Sequence, residues 1–192
     1  MKTIVITGKS GSGKTYVAEK LAAVLDCEIL SLDKISHKTL ETETLKTFVY
    51  NNFGKEVFDE NGNIIRKKIG EIAFNNPVLL QKLNNIAEIE MEKIIDNHLS
   101  NTPANIVILE YALLPKMKYF SNAMLKILVV ANDNIRRSRI IERDNISKDY
   151  FEIRDNNSLE YNESDYDFVV SNNETASNIT EVIKQIKKLT QK

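Results

Sequence analysis

Residues 8–15 read GKSGSGKT and follow directly on the apolar run Ile4-Val5-Ile6. The spacing from Gly8 to Gly13-Lys14-Thr15 is that of a loop that cradles nucleoside triphosphate phosphates. A chain of this length shows that four-position pattern by chance only about once in a hundred. Its surroundings are also the required ones. KTIVIT before the loop is short, apolar and β-branched, which predicts a buried strand. After it, Val17, Ala18, Leu21, Val24 and Leu25 recur at helical spacing, predicting a helix from about Lys14 to Leu25. Glycines permit positive φ, so successive N–H groups can point at one anion, and the helix N-terminus adds its dipole. Gly8, Ser10, Gly11, Ser12, Gly13, Lys14, Thr15 and Tyr16 are therefore the candidate ATP-binding residues. Lys14 is expected on the β- and γ-phosphates, and the Thr15 hydroxyl on Mg²⁺.

Composition limits what surrounds this loop. At 192 residues one domain with a real core is expected. Lys+Arg 26 against Asp+Glu 27 gives a net charge of -1, which argues against a nucleic-acid partner. The longest apolar runs, such as ILVVA at 127–131, are too short to span a bilayer, so no membrane partner is expected. Met1-Lys2 leads straight into the first strand, and the single Cys27 suits a reducing compartment. The expectation is a cytoplasmic protein, monomeric or weakly homo-oligomeric.

Four more strand candidates follow: 28–32, 105–110, 125–131 and 167–171. Helical patterns at 34–50, 78–99, 132–144 and 177–189 separate them. This alternation predicts an α/β fold, with a five-stranded parallel sheet between two helical layers. Ligands of such sheets sit at the strands' carboxyl ends, which gathers Asp33, Glu110, Asn172 and Asn173 around the phosphate loop. The 72 residues between the second and third strands exceed a crossover. They predict a helical insertion, interrupted by turns at Phe53-Gly54 and Asn61-Gly62. The expected organisation is one domain: a core at 1–33, 101–136 and 159–192, an acceptor-binding insertion at 34–100 and a lid at 137–158.

The arginines narrow the chemistry. Lys outnumbers Arg twenty to six, yet Arg136, Arg137, Arg139, Arg143 and Arg154 all fall between 136 and 154. Arg136, Arg139 and Arg143 share one helical face, the pattern of a phosphate-clamping lid. The plain alternative is a solvated face paired with Glu142 and Asp144. Asp33 is placed to take or orient a hydroxyl proton, or else to serve as an N-cap. Glu110 ends an apolar strand, where a carboxylate assists Mg²⁺ through water or simply meets solvent. His37 and His98 show no partner pattern for a metal or a nucleophile and read as structural, while Lys67 and Lys68 beside Arg66 either meet an anionic acceptor or form a solvated charge run. No N-K-x-D guanine signature is present. A small-molecule kinase is the leading reading.

The chain also resembles the dephospho-coenzyme A kinases along nearly its whole length. The resemblance runs through TGKSGSGKT, LDKISHKTL (32–40), Phe53-Gly54 and NGNIIRKKIGEIAF (61–74). It continues through IVILEYALL (106–114), RSRIIERD (137–144) and DFVVSNN (167–173). The chain departs at Glu88-Ile89, where the family carries His-Pro. The resemblance implies a P-loop kinase fold and ATP-dependent phosphorylation of the ribose 3′-hydroxyl of dephospho-CoA. It implies Asp33 as the base or orienting group and Arg66, with Asp33 and Glu110, on the acceptor side. Lys14, Arg139 and Arg143 then act on the phosphates, and backbone around Asn172 holds adenine. Two other readings stay open: a nucleoside or nucleotide kinase of the same architecture, and a kinase-like fold that binds nucleotide without catalysis.

Overall fold

The structure is a computed structural model that describes residues 2–73, 76–156, 158–173 and 177–190, without the side chains of Tyr150, Ile153 and Arg154. Two compact units divide the chain: residues 1–31 with 103–192, and residues 32–102.

The first unit is built on five parallel strands: β1 (Lys2–Thr7), β2 (Glu28–Ser31), β3 (Ile106–Glu110), β4 (Leu125–Val130) and β5 (Phe168–Ser171). Their order across the sheet is β2-β3-β1-β4-β5. β1 is central and closed on both faces, which is why it reads as a continuous apolar run rather than an alternating one. On one face Ile4, Ile6, Ile108, Ile127 and Val129 meet Val17, Ala18 and Leu21 of helix α1 (Lys14–Ala22). Ile179, Val182 and Ile186 complete that layer from the last helix of the chain. The opposite face is closed as well, since Val5, Val107, Leu109 and Leu128 are all buried. Register aligns the carboxyl ends: Ile6 pairs with Glu110, Ser31 with Glu110, and Val130 with Ser171.

The second unit is mostly helical: α2 (Leu32–Lys38), α3 (Glu43–Phe53), α4 (Arg66–Ala73) and α5 (Pro77–Asn101). Leu45, Val49, Phe53, Val57, Ile69 and Ala73 form its own core. The single helix expected over 34–50 is in fact two helices with a 3₁₀ turn, Thr39–Glu41, between them. Thr42 causes the break: it is extended, with φ -70 and ψ 141, and its hydroxyl accepts from Leu45 N. That is an N-cap, and apolar periodicity does not register it. The expected glycine turns are present, Gly54 closing α3 with φ 81 and Gly62 turning with φ 75. Phe58 and Ile64 bridge antiparallel across the second turn.

Back in the first unit, α6 (Lys118–Ser121) follows β3, and α7 (Asp133–Asp144) and α8 (Lys148–Asn156) follow β4. Helix α9 (Ile179–Thr190) follows β5. The first helix ends at Ala22 rather than Leu25, and Cys27 lies beyond it, packed against the sheet core. Burial, with Asp26 nearby, pushes the Cys27 thiol up, so it stays protonated and behaves as an apolar filler.

Candidate phosphate-binding site and its surroundings

The loop after β1 has the conformation its glycines permit. Gly11 and Gly13 adopt φ 77 and φ 93, and Gly13 is the N-cap of α1. At Gly13 a side chain is doubly excluded. The backbone is left-handed, and an added Cβ would collide with the side-chain amide of Asn172. Ser12 N donates to Lys9 O at 3.2 Å, closing the turn. Lys14, the first residue of α1, is 8 % exposed, so its side chain is packed against the protein rather than spread into solvent. Ser12 Oγ is buried with no hydrogen-bond partner among the described residues. A cavity of about 180 Å³ opens beside the loop, lined by Lys9, Ser12, Asp133, Arg136, Glu160 and Tyr161.

A carboxylate stands beside the hydroxyl of Thr15. Thr15 Oγ1 lies 3.0 Å from both Oε1 and Oε2 of Glu110. Glu110 is 2 % exposed, which rules out the solvent-facing strand end. Among the described residues no group of three His, Cys, Asp or Glu forms a self-sufficient metal cage. Mg²⁺ does not require one, because it commonly takes one or two protein oxygens plus substrate phosphates and water. A hydroxyl and a carboxylate side by side at the head of α1 fit that demand. Tyr16 is 47 % exposed on the same turn, with Lys20 Nζ 5.3 Å from its ring centroid.

The arginines of α7 divide into different tasks. Arg139 donates to Gly11 O at 3.3 Å and to Asn172 O at 3.2 Å, so it lies against the loop. Arg143 is exposed and engages Asp144 at 2.7 Å, the partner that a solvated face supplies. Arg136, grouped with them by spacing, is not a free clamp. It is 2 % exposed and bonded to Asp133, to both oxygens of Asp155 and to Ser10 O. The Arg154 side chain lies outside the described residues. Asn172 reaches the loop by its side chain, Nδ2 donating to Ser12 O at 2.8 Å.

Sequence reading did not find several of these residues. Asp155 sits within the expected lid at 137–158, and no spacing rule links it to Arg136. Lys9 Nζ meets Glu160 at 2.6 Å, an exposed bridge of little energetic weight. Tyr161 OH and Thr7 Oγ1 both donate to Ala112 O, at 2.8 and 3.0 Å. Burial, above all, raises the Tyr161 phenol's pKa, keeping it a donor.

In the helical unit, Asp33 is exposed and is the second residue of α2, not its N-cap. A carboxylate there still complements the helix dipole. Arg66 Nη1 lies 2.7 Å from His37 Nε2, a contact within the helical unit. Lys68 Nζ donates to Glu56 O at 2.8 Å.

The model of the dephospho-CoA kinase family matches residues 2–178. The chain belongs to the dephospho-CoA kinase family. A dephospho-CoA kinase of Aquifex aeolicus is 33 % identical over 98 % of this chain and 96 % of its own length. One from Dehalococcoides mccartyi is 39 % identical, over 50 % of this chain and 48 % of that protein. The solved dephospho-CoA kinase of Campylobacter jejuni superposes with a TM-score of 0.69. It covers 99 % of this chain and 100 % of that one at 23 % identity, a likeness of fold. With the five-stranded parallel sheet described above, that superposition bears out the P-loop α/β expectation. Among the described residues no helix is long and apolar enough to cross a membrane.

Proposed function

We propose that this protein transfers the γ-phosphoryl group of ATP to the ribose 3′-hydroxyl of dephospho-CoA, giving coenzyme A and ADP. The observation that carries the reading is the family match over residues 2–178, with an intact phosphate loop at its start. The loop residues Gly8, Ser10, Gly11, Ser12, Gly13, Lys14, Thr15 and Tyr16 bind the donor. Lys14 neutralises charge on the phosphates, and backbone amides fix their orientation. Thr15, with Glu110 beside it, would hold Mg²⁺, which supplies Lewis-acid charge stabilisation when bound. Arg139 and Arg143 meet the charge that develops during transfer, and backbone at Asn172 receives the adenine.

On the acceptor side, Asp33 orients the 3′-hydroxyl and accepts its proton, while Arg66 binds the acceptor's anionic portion. The helical unit is the acceptor-binding insertion, and residues 137–158 act as the lid. These roles rest on the family resemblance and on residue chemistry. Cytoplasmic location, and a monomeric or weakly self-associating state without a nucleic-acid partner, accord with the charge balance and the single cysteine.

The test is an acceptor panel of dephospho-CoA, AMP, uridine and pantothenate with Mg²⁺-ATP, followed by ADP release and coenzyme A formation. Coenzyme A should form, with dephospho-CoA preferred. A preference for a nucleoside, or no product beside an active control, overturns the proposal.

A further inference from the structure

Three consecutive carbonyls of the phosphate loop are each held by a side chain from elsewhere in the first unit. Ser10 O accepts from Arg136 Nη1 at 3.1 Å, Gly11 O from Arg139 Nη1 at 3.3 Å, and Ser12 O from Asn172 Nδ2 at 2.8 Å. Helix α7 backs the loop closely. A Cβ added at Gly11 would lie 2.7 Å from Arg136 O and 3.0 Å from the Ile140 side chain. In a trans peptide the C=O of one residue and the N–H of the next point in opposite directions. All peptides described here are trans. Pinning the carbonyls of Ser10, Gly11 and Ser12 toward Arg136, Arg139 and Asn172 therefore turns the N–H groups of Gly11, Ser12 and Gly13 away from those side chains. Ser12 N–H is used within the loop on Lys9 O, which leaves Gly11 and Gly13 to face an anion.

Arg136 differs from the other two in how it is itself held. Its guanidinium is bidentate with Asp155 on α8, at 2.8 and 2.6 Å, and meets Asp133 at 3.1 and 3.3 Å. Phe151, 3 % exposed, lies beneath it, 5.9 Å from guanidinium carbon to ring centroid. Two carboxylates neutralise this cation, so it is not available as a direct phosphate ligand. Its fork has one remaining task, the Ser10 carbonyl, and the fixed geometry of a planar guanidinium suits it to that.

We propose that Arg136, locked by Asp155, is a positioning residue for the donor: it sets the phosphate loop's amides by holding the Ser10 carbonyl. This rests on the loop being the nucleotide phosphate site, but not on the identity of the acceptor.

The test measures Mg²⁺-ADP binding by calorimetry to the full chain and to R136Q, R136K and D155N, beside their melting temperatures and their KM for ATP and for dephospho-CoA. R136Q should weaken ADP about tenfold and raise the ATP KM to match, with the dephospho-CoA KM within about twofold. R136K, which keeps the charge but not the fork, should recover part of that loss. D155N keeps Arg136 and its Asp133 contact, so it remains informative if R136Q does not fold. It should weaken ADP about threefold. A folded R136Q or D155N that binds ADP as wild type does, even at a lowered melting temperature, overturns the proposal. So does wild-type protein that binds no ADP. Wild type that binds ADP but makes no coenzyme A overturns only the acceptor reading and leaves the ADP comparison decisive here.

Discussion

The Thr15 hydroxyl lies 3.0 Å from each carboxylate oxygen of Glu110, a residue 95 positions away in the chain. The sheet creates this pairing. β3 lies beside β1 with Glu110 opposite Ile6, and the loop that leaves β1 turns back to start α1 at Lys14. Thr15→Ala should lower kcat/KM about a hundredfold and raise the Mg²⁺ concentration needed for half-maximal rate. Thr15→Ser, which keeps the oxygen, should stay within about threefold of wild type. Rates measured across a magnesium titration check both. An unchanged magnesium requirement in the alanine variant would count against this assignment.

Asp33→Asn removes a proton acceptor and keeps the side chain's shape. On the proposed role, turnover falls by about two to four orders of magnitude, while ATP affinity changes little. Initial rates together with nucleotide binding separate the two quantities. Parallel losses in both would point to a structural task in the first turn of α2.

Gly13→Ala places a Cβ where the Asn172 amide lies and forces a non-glycine residue to φ 93. Nucleotide binding should be lost, and stability should fall by roughly 1–3 kcal/mol. Gly62→Ala is a useful control, because a Cβ there meets nothing within 4 Å although φ is also positive, at 75. It should cost stability and leave ADP affinity intact. Melting curves and calorimetry on the two variants distinguish strain from loss of the site.

Glu90 in α5 is buried, and Lys93 Nζ donates to it at 2.7 Å. That hydrogen bond, with Thr42 and Thr44 contributing, holds its carboxyl below the usual range. A depressed folded-state pKa stabilises the protein above the unfolded value, and the stabilisation is lost as pH falls through the folded value. Glu90→Gln should therefore be less stable than wild type at pH 7, by no more than about 1 kcal/mol given the exposed lysine. The difference should vanish as the pH drops below the carboxylate range. Denaturant titrations of both proteins from pH 7 to pH 3 read this directly, and a gap that persists at the acid end contradicts it.

Much of the fold was legible because it is written in local pattern. β1 and β4 are short β-branched runs, α9 repeats its apolar residues at helical intervals, and Gly54 and Gly62 mark turns by their conformational freedom. The boundary at Thr42 was missed because a cap is one hydroxyl accepting one amide, which leaves periodicity untouched. The candidate site was legible only in part. Lys14 and Thr15 belong to a contiguous motif, whereas the task of an arginine depends on what it meets. Arg136, Arg139 and Arg143 share a spacing, yet one is locked by Asp155, one lies on the loop and one faces Asp144 at the surface.

By itself the sequence determined the phosphate loop, the alternation of strands and helices, and the family. The loop and the elements are carried by contiguous residues whose backbone preferences and burial act over a few positions, and the family by several such stretches in order along the chain. Tertiary structure alone decided that Glu110 stands beside Thr15, that Asn172 occupies the space Gly13 leaves open, and that Arg136 serves a carbonyl rather than a phosphate. Those pairings join residues 95, 159 and 126 positions apart. Strand register and helix packing bring them within hydrogen-bonding distance, and no local preference encodes either.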